Sequence, residues 1–236
     1  MKLLTLANAK VLKGQVMGYL TAIMHLAPYT LSGYNVCPMA SKGCAAACLN
    51  TTGNGNYPAT QAARIRKTKM FFEARADFMA LLVSDIRALI KKANKMGLLP
   101  AVRLNGTSDI RFETVPVTID GVEYRNLMEA FPALMFYDYT AIPNRRDLPA
   151  NYHLTFSRKE SNGKDVAAMI GQGMNVAVVF GVKKDCPLPK MWGARKVIDG
   201  DTTDLRFTDA KGIIVGLRGK GKARGKNTHG GFVVTV

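Results

Sequence analysis

The chain contains no apolar run approaching the ~20 residues of a membrane-spanning helix, so no membrane span is expected. No internal repeat, long low-complexity stretch or linker divides its 236 residues, and one domain over residues 1–236 is expected. Acidic residues are scarce: 17 Asp and Glu face 33 Lys and Arg, a formal net charge of +16. That balance predicts attraction to polyanions, either nucleic acid or a nucleotide. Charge alone does not separate DNA from RNA, or a polymer from a nucleotide. A Walker phosphate loop is absent, because no G-x-x-x-x-G-K-[ST] occurs. Cysteine is scarce too, with four residues. The first residues, Met1-Lys2-Leu3-Leu4-Thr5-Leu6, carry one positive charge and soon turn polar. They are read as no secretory signal, which places the chain in the cytoplasm. Thiols there stay reduced, and clustered cysteines bind metal or do chemistry more often than they form disulfides.

Three of the four cysteines lie in one short stretch, Cys37, Cys44 and Cys48, spaced C-x6-C-x3-C over residues 37–48. A soft ion or an iron–sulfur cluster can take three thiolates from one loop and a fourth ligand from elsewhere. The fourth cysteine, Cys186, follows an apolar stretch ending at Phe180 and is a candidate fourth ligand. His25, one loop before Cys37, is another, although a lone histidine in an apolar strand is more often a hydrogen-bonded core residue. Structural zinc sites favour tighter C-x2-C or C-x4-C knuckles. Iron–sulfur sites tolerate varied spacing and often carry a proline beside a cysteine, as in Cys37-Pro38. A four-iron cluster is the first reading and zinc the rival.

Periodicity predicts alternating strands and helices. Tyr19–Leu26, Pro100–Leu104, Leu134–Tyr139, Tyr152–Ser157, Asn175–Phe180, Lys196–Asp199 and Gly212–Leu217 read as short strands, with Phe232–Val236 as a candidate last one. Apolar residues from Ile65 to Ile90 recur at helical spacing and predict a helix over Ala59–Met96, in one or two pieces, stopping at Gly97. Asn126–Phe131 and Lys164–Gln172 read as helices. Nearly continuous apolar strands between helices indicate an α/β fold with a parallel sheet covered on both faces. Six to seven such units suit a partial or irregular parallel barrel.

Several strands end in polar residues. Arg103, Asn105, Thr107, Ser108 and Asp109 follow one, Asp138 with Tyr139 and Thr140 closes another, and Ser157 and Arg158 close a third. Asp199, Asp201 and Asp204 follow a fourth, and Arg218 and Lys220 a fifth. Parallel α/β folds place their sites at the carboxyl ends of strands. One rim would then gather these residues and the cysteines around an anionic ligand. Arg103, in an apolar strand, needs a partner for its charge. The stretch Arg103–Asp109 also suits a tight turn or helix cap. Residues 216–226 alternate glycine with Lys and Arg, which suits either a flexible basic loop or backbone approach to a phosphate. The three aspartates would serve a hard cation or acid/base chemistry, but D-x-D is also common in turns. His153, His229 and Trp192 give no specific signal.

The cysteine loop, Arg103–Asp109, Tyr137–Thr140, Leu154–Ser157 and the Gly/Lys-rich segment together resemble an uncharacterised family of phage-encoded proteins. Its members are sometimes labelled rolling-circle-replication-associated. The resemblance runs from about Asn35 onward and implies a protein working in the bacterial host cytoplasm. No His-hydrophobic-His motif with a tyrosine nucleophile accompanies it. A cysteine loop after the first strand of a partial barrel is also similar to the radical S-adenosylmethionine enzymes. This second resemblance implies S-adenosylmethionine as a cofactor. That family spaces its cysteines C-x3-C-x2-C, and this chain differs in both intervals.

Overall fold

The structure, a computed structural model, describes residues 1–6, 9–145, 147–224 and 228–236. β1 (Leu4–Thr5) and α1 (Ala9–Val16) precede β2 (Tyr19–Met24). The cysteine loop follows and contains the short helix α2 (Lys42–Ala46). α3 (Pro58–Glu73) and α4 (Arg75–Met96) then lead into β3 (Leu99–Arg103). A hairpin of β4 (Val117–Ile119) and β5 (Val122–Tyr124) stands apart from the main sheet. α5 (Leu127–Ala130), β6 (Met135–Thr140), β7 (Tyr152–Ser157), α6 (Gly163–Gly171) and β8 (Val176–Phe180) come next. β9 (Met191–Trp192), β10 (Arg195–Asp199) and β11 (Ile214–Arg218) complete the order.

Among the described residues the main sheet has nine strands in the order β1-β2-β3-β6-β7-β8-β11-β10-β9. Every pair from β2 to β10 is parallel, and only β1 and β9 join antiparallel. The expected α/β class and largely parallel sheet are therefore present. The stretch expected as a last strand differs. Phe232–Val236 contributes one isolated bridge, Val234 with Phe180, after a 3₁₀ turn at His229–Gly231.

One face of the sheet carries Leu20, Ala22, Met24, Val102, Phe136 and Leu154. They pack against Phe71 of α3 and Phe78, Leu82, Ile86 and Leu89 of α4. The long helical stretch does divide, at Ala74, which leaves helical geometry with φ −141° and ψ 61°. α4 stops where expected. Gly97 adopts φ 65°, and the N–H groups of Gly97 and Leu98 close on the carbonyls of Asn94 and Ala93 at 3.2 and 3.0 Å, a Schellman stop that glycine makes without strain. α6 covers the other half through Val166 and Met169, against Phe156, Val176 and Ile214.

The opposite face is polar towards its carboxyl end, and the segment Gly200–Asp209 crosses it. Phe207 meets Tyr19 at 5.1 Å and Tyr137 at 5.4 Å between ring centroids. Six inter-strand steps of ~4.8 Å would separate β10 from β2 by about 29 Å in a flat sheet. Yet the carbonyl of Asp201, two residues past β10, accepts from Nζ of Lys13 on α1 at 2.5 Å. Because α1 packs beside Tyr19 and Thr21 of β2, the sheet must curl towards this face.

Candidate functional site

Parallel pairing puts the carboxyl ends of β2, β3, β6, β7, β8, β10 and β11 on one edge, and the cysteine loop lies there. The loop is held from several sides. Ala27 N–H donates to Thr68 Oγ1 at 2.8 Å, and Asp109 N–H donates to the Val36 carbonyl at 2.8 Å. Ser41 caps α2, accepting from Cys44 N–H at 3.2 Å, and its hydroxyl donates to Glu160 Oε2 at 2.7 Å. Glu160 Oε1 also accepts from Gly43 N–H at 2.8 Å. Lys159 donates to the Met39 carbonyl. A side chain at Gly43 would collide with the His229 carbonyl and with Phe232, so glycine is required where the loop meets the C-terminal segment.

Cys37, Cys44 and Cys48 are half-buried. Cys37 Sγ accepts from Tyr29 N–H at 3.4 Å and stands 3.8 Å from the Thr107 carbonyl. Burial pushes the Cys37 thiol up to about 12, and the neighbouring Cys48, Asp109 and Cys44 add to the rise. Burial and then Cys48 push Cys44 up to about 11, opposed by Lys159. Cys48 is raised by burial and opposed by the Asn50 backbone and Arg64. Cys48 thus acts on both other thiols and Cys44 on Cys37, while Lys159 acts on Cys44 and Arg64 on Cys48. Among the described residues, no three His, Cys, Asp or Glu side chains stand close enough together to hold one metal ion.

The expected rim residues divide into several groups. Asn105 is the keystone of its loop. Its Oδ1 accepts from Ser108 Oγ and Ile110 N–H, each at 2.8 Å, and its Nδ2 donates to the Ile110 carbonyl and Asp138 Oδ2 at 3.0 Å. Thr107 Oγ1 donates to the Leu26 carbonyl at 2.5 Å. Asp109 Oδ2 accepts from Ala141 N–H at 2.7 Å, and Oδ1 lies 3.7 Å from Arg145. Asp138 is fully buried and accepts from Asn105 N–H at 2.7 Å and from Tyr152 at 2.8 Å. Burial raises it to about 6, against the pull of Arg103 and these donors. Ser157 lends its carbonyl to Asn162, and Arg158 donates to the carbonyls of Gly231 and Phe232. These groups build the rim's walls.

The basic C-terminal stretch turns inward. Arg218 pairs with Asp199 at 2.8 Å and Asp201 at 3.4 Å, and Lys220 pairs with Asp201 at 2.7 Å. Two of the aspartates weighed for a hard cation therefore hold cations of the chain itself. Gly216 fits against Val197 and Leu188, and Gly219 against Ala223; close packing accounts for both. Gly225 and Lys226 lie outside the described residues. Cys186 is exposed, with its carbonyl accepting from Arg218 at 3.0 Å. His25 is pushed down to about 3 by burial and by Arg64, Arg103 and Lys67, so it is neutral. His229 Nε2 lies 2.6 Å from the Lys222 carbonyl.

Arg103 is different. Its Nη1 bonds Asp204 Oδ2 at 3.0 Å, and its guanidinium lies 4.7 Å from the Tyr139 ring centre. It belongs to the polar inner face, with Tyr137, Tyr139, His153, Thr155 and the fully buried Arg206. Sequence reasoning named Arg103 and Tyr139 but missed Tyr137, His153, Thr155 and Arg206 as their companions, together with Arg64 and Lys159, which act on the thiols. The signal lay in the two-residue spacing of Tyr137 with Tyr139 and of His153 with Thr155, since alternate strand residues share a face.

A family model described as Gene product 88 matches residues 2–234. The chain belongs to the Gene product 88 family. This phage-type family agrees with the first resemblance read from the sequence. No curated protein and no solved structure matches the chain, and the resemblance to radical S-adenosylmethionine enzymes gains no support.

Proposed function

We propose that Cys37, Cys44 and Cys48 hold an iron–sulfur cluster at the carboxyl edge of a partial barrel, beside a site for an anionic ligand. The observation that supports this is three half-buried thiols in one anchored loop, Cys48 acting on both Cys37 and Cys44, with Lys159 acting on Cys44 and Arg64 on Cys48. A bound metal centre stabilises the thiolate form, so loading releases protons. A single zinc needs its sulfurs gathered at about 2.3 Å around one point, whereas a cluster spreads its thiolates over separate irons. Cys186 remains the candidate fourth ligand. Bound there, a cluster supplies electron transfer or radical chemistry. The chain's part is to exclude water with the packed loop and to offset thiolate charge with Arg64 and Lys159. The setting is the cytoplasm of a bacterial host.

The formal charge of +16 favours a second reading, a nucleic-acid-binding protein whose iron–sulfur or zinc site is structural. Anaerobic purification followed by metal and acid-labile sulfide analysis tests the first. Iron with sulfide supports the cluster, and a colourless zinc protein refutes it. DNA and RNA binding measured against salt tests the second, which predicts affinity that falls steeply as salt rises.

A further inference from the structure

Directly below the rim, on the inner face, polar side chains stand at matched levels. Val102 pairs with Phe136, so Arg103 stands beside Tyr137; Tyr137 is level with His153, and Tyr139 with Thr155. The segment after β10 lays Arg206 over them: its charge acts on both Tyr139 and His153. Six buried atoms here have no hydrogen-bond partner among the described residues: Arg103 Nε, Tyr137 Oη, Tyr139 Oη, His153 Nε2, Thr155 Oγ1 and Arg206 Nε; Arg206 Nη1 and Asp209 Oδ2 have none either, but stand 3.3 Å apart as an ion pair. Native proteins leave few buried polar atoms unpaired, and such a concentration asks for a missing partner.

The chemistry of the six defines that partner. Both guanidinium Nε groups are obligate donors. Burial holds Tyr137 and Tyr139 well above the ordinary phenol range, so both hydroxyls keep their protons. Thr155 can donate as well. The guanidinium charges are already engaged, Arg103 with Asp204 and Arg206 with Asp209 at 3.3 Å. What remains is a donor-rich lining, and its complement is rich in acceptors. An oxyanion offers several lone pairs in a small volume and brings no donors that would need partners of their own.

We propose that this buried polar face receives an oxyanion group, a carboxylate or a phosphate, held by Arg103, Arg206, Tyr137 and Tyr139. The inference rests on the anionic-ligand part of the reading above and deepens it, and it does not require the cluster. Arg103 and Arg64 both act on His25, and Arg64 also acts on Cys48.

The test is thermal denaturation of the full chain, with and without bound metal, titrated with inorganic phosphate, with acetate, and with chloride at matched ionic strength. A saturable rise in melting temperature with phosphate or acetate, absent with chloride, is expected. Phosphate alone identifies a phosphate site, and acetate alone a carboxylate site. Tyr139→Phe should weaken that binding about tenfold. It should leave the ligand-free melting temperature unchanged or raised, because an unpaired buried hydroxyl is removed at constant shape. No saturable effect of either anion overturns the proposal, as does full affinity in Tyr139→Phe. Saturation that persists in metal-free protein separates this inference from the fate of the cluster reading.

Discussion

Gly43→Ala probes how the cysteine loop is seated. The added methyl would lie 2.8 Å from Phe232 Cβ and 2.9 Å from Glu160 Oε1, and closer still to the His229 carbonyl. Glu160 has rotamer freedom to yield. The carbonyl and the Cβ are fixed by backbone, so either the loop or the C-terminal segment must move. Overpacking of this kind costs about 1–3 kcal/mol, and the rigid obstacles favour the upper half, about 2–3 kcal/mol. For a chain of this size each kcal/mol shifts the melting temperature by about 2–4 °C, giving a fall of about 4–12 °C. Gly163→Ala is the control. It begins α6 with a negative φ and open space around its Cβ position. Alanine there should be neutral or stabilising, by up to about 1 kcal/mol. The assay is thermal denaturation of metal-free protein followed by circular dichroism. A Gly43→Ala protein that melts with wild type would refute the packing of the loop against residues 229–232.

Other outcomes follow from the same geometry. In metal-free protein at pH 8, a thiol reagent should modify exposed Cys186 quickly and the three raised, half-buried thiols slowly; Cys186→Ala should abolish the fast phase. Arg103→Ala removes a buried ion pair with Asp204 at 3.0 Å and should lower stability in denaturant unfolding by up to about 3–5 kcal/mol. Asp138 binds its proton more tightly folded, at about 6, than unfolded, at about 4. Its contribution is therefore fully present below pH ~4 and is lost as pH rises through ~6, by about 3 kcal/mol. Unfolding free energies compared between wild type and Asp138→Ala across that window should reveal the loss only in wild type.

Strands whose burial on both faces leaves a continuous apolar run were legible from sequence, as in β8, Val176–Phe180, within the expected Asn175–Phe180; β7 falls on the expected Tyr152–Ser157 although His153 and Thr155 interrupt its apolar residues. The helix stop at Gly97 was legible because a left-handed stop favours glycine. The division at Ala74 was anticipated without a position, since neither glycine nor proline marks it. The β4–β5 hairpin was overlooked, although Asp120-Gly121, with φ 51° and 83°, is a two-residue turn signal. Phe232–Val236 has strand composition, but its neighbours offer one bridge only. The cysteine trio was legible from spacing. The fate of Arg218 and Lys220 was not, because a charge reads the same whether it faces a ligand or Asp201. The inner-face grouping was hidden because Tyr137 passes for an apolar residue in a strand, and Tyr139, read only as a strand end, gains its role once Arg206 covers it.

The central claim is a cluster held by three thiolates, and anaerobic reconstitution with iron and sulfide tests it most directly. The wild-type chain should become brown and bind iron and sulfide in equal amounts. Cys37→Ser, Cys44→Ser and Cys48→Ser should each lose most of that uptake while keeping the circular dichroism of the metal-free fold. A wild-type chain that stays colourless, or three variants that load as fully as it does, would contradict the claim.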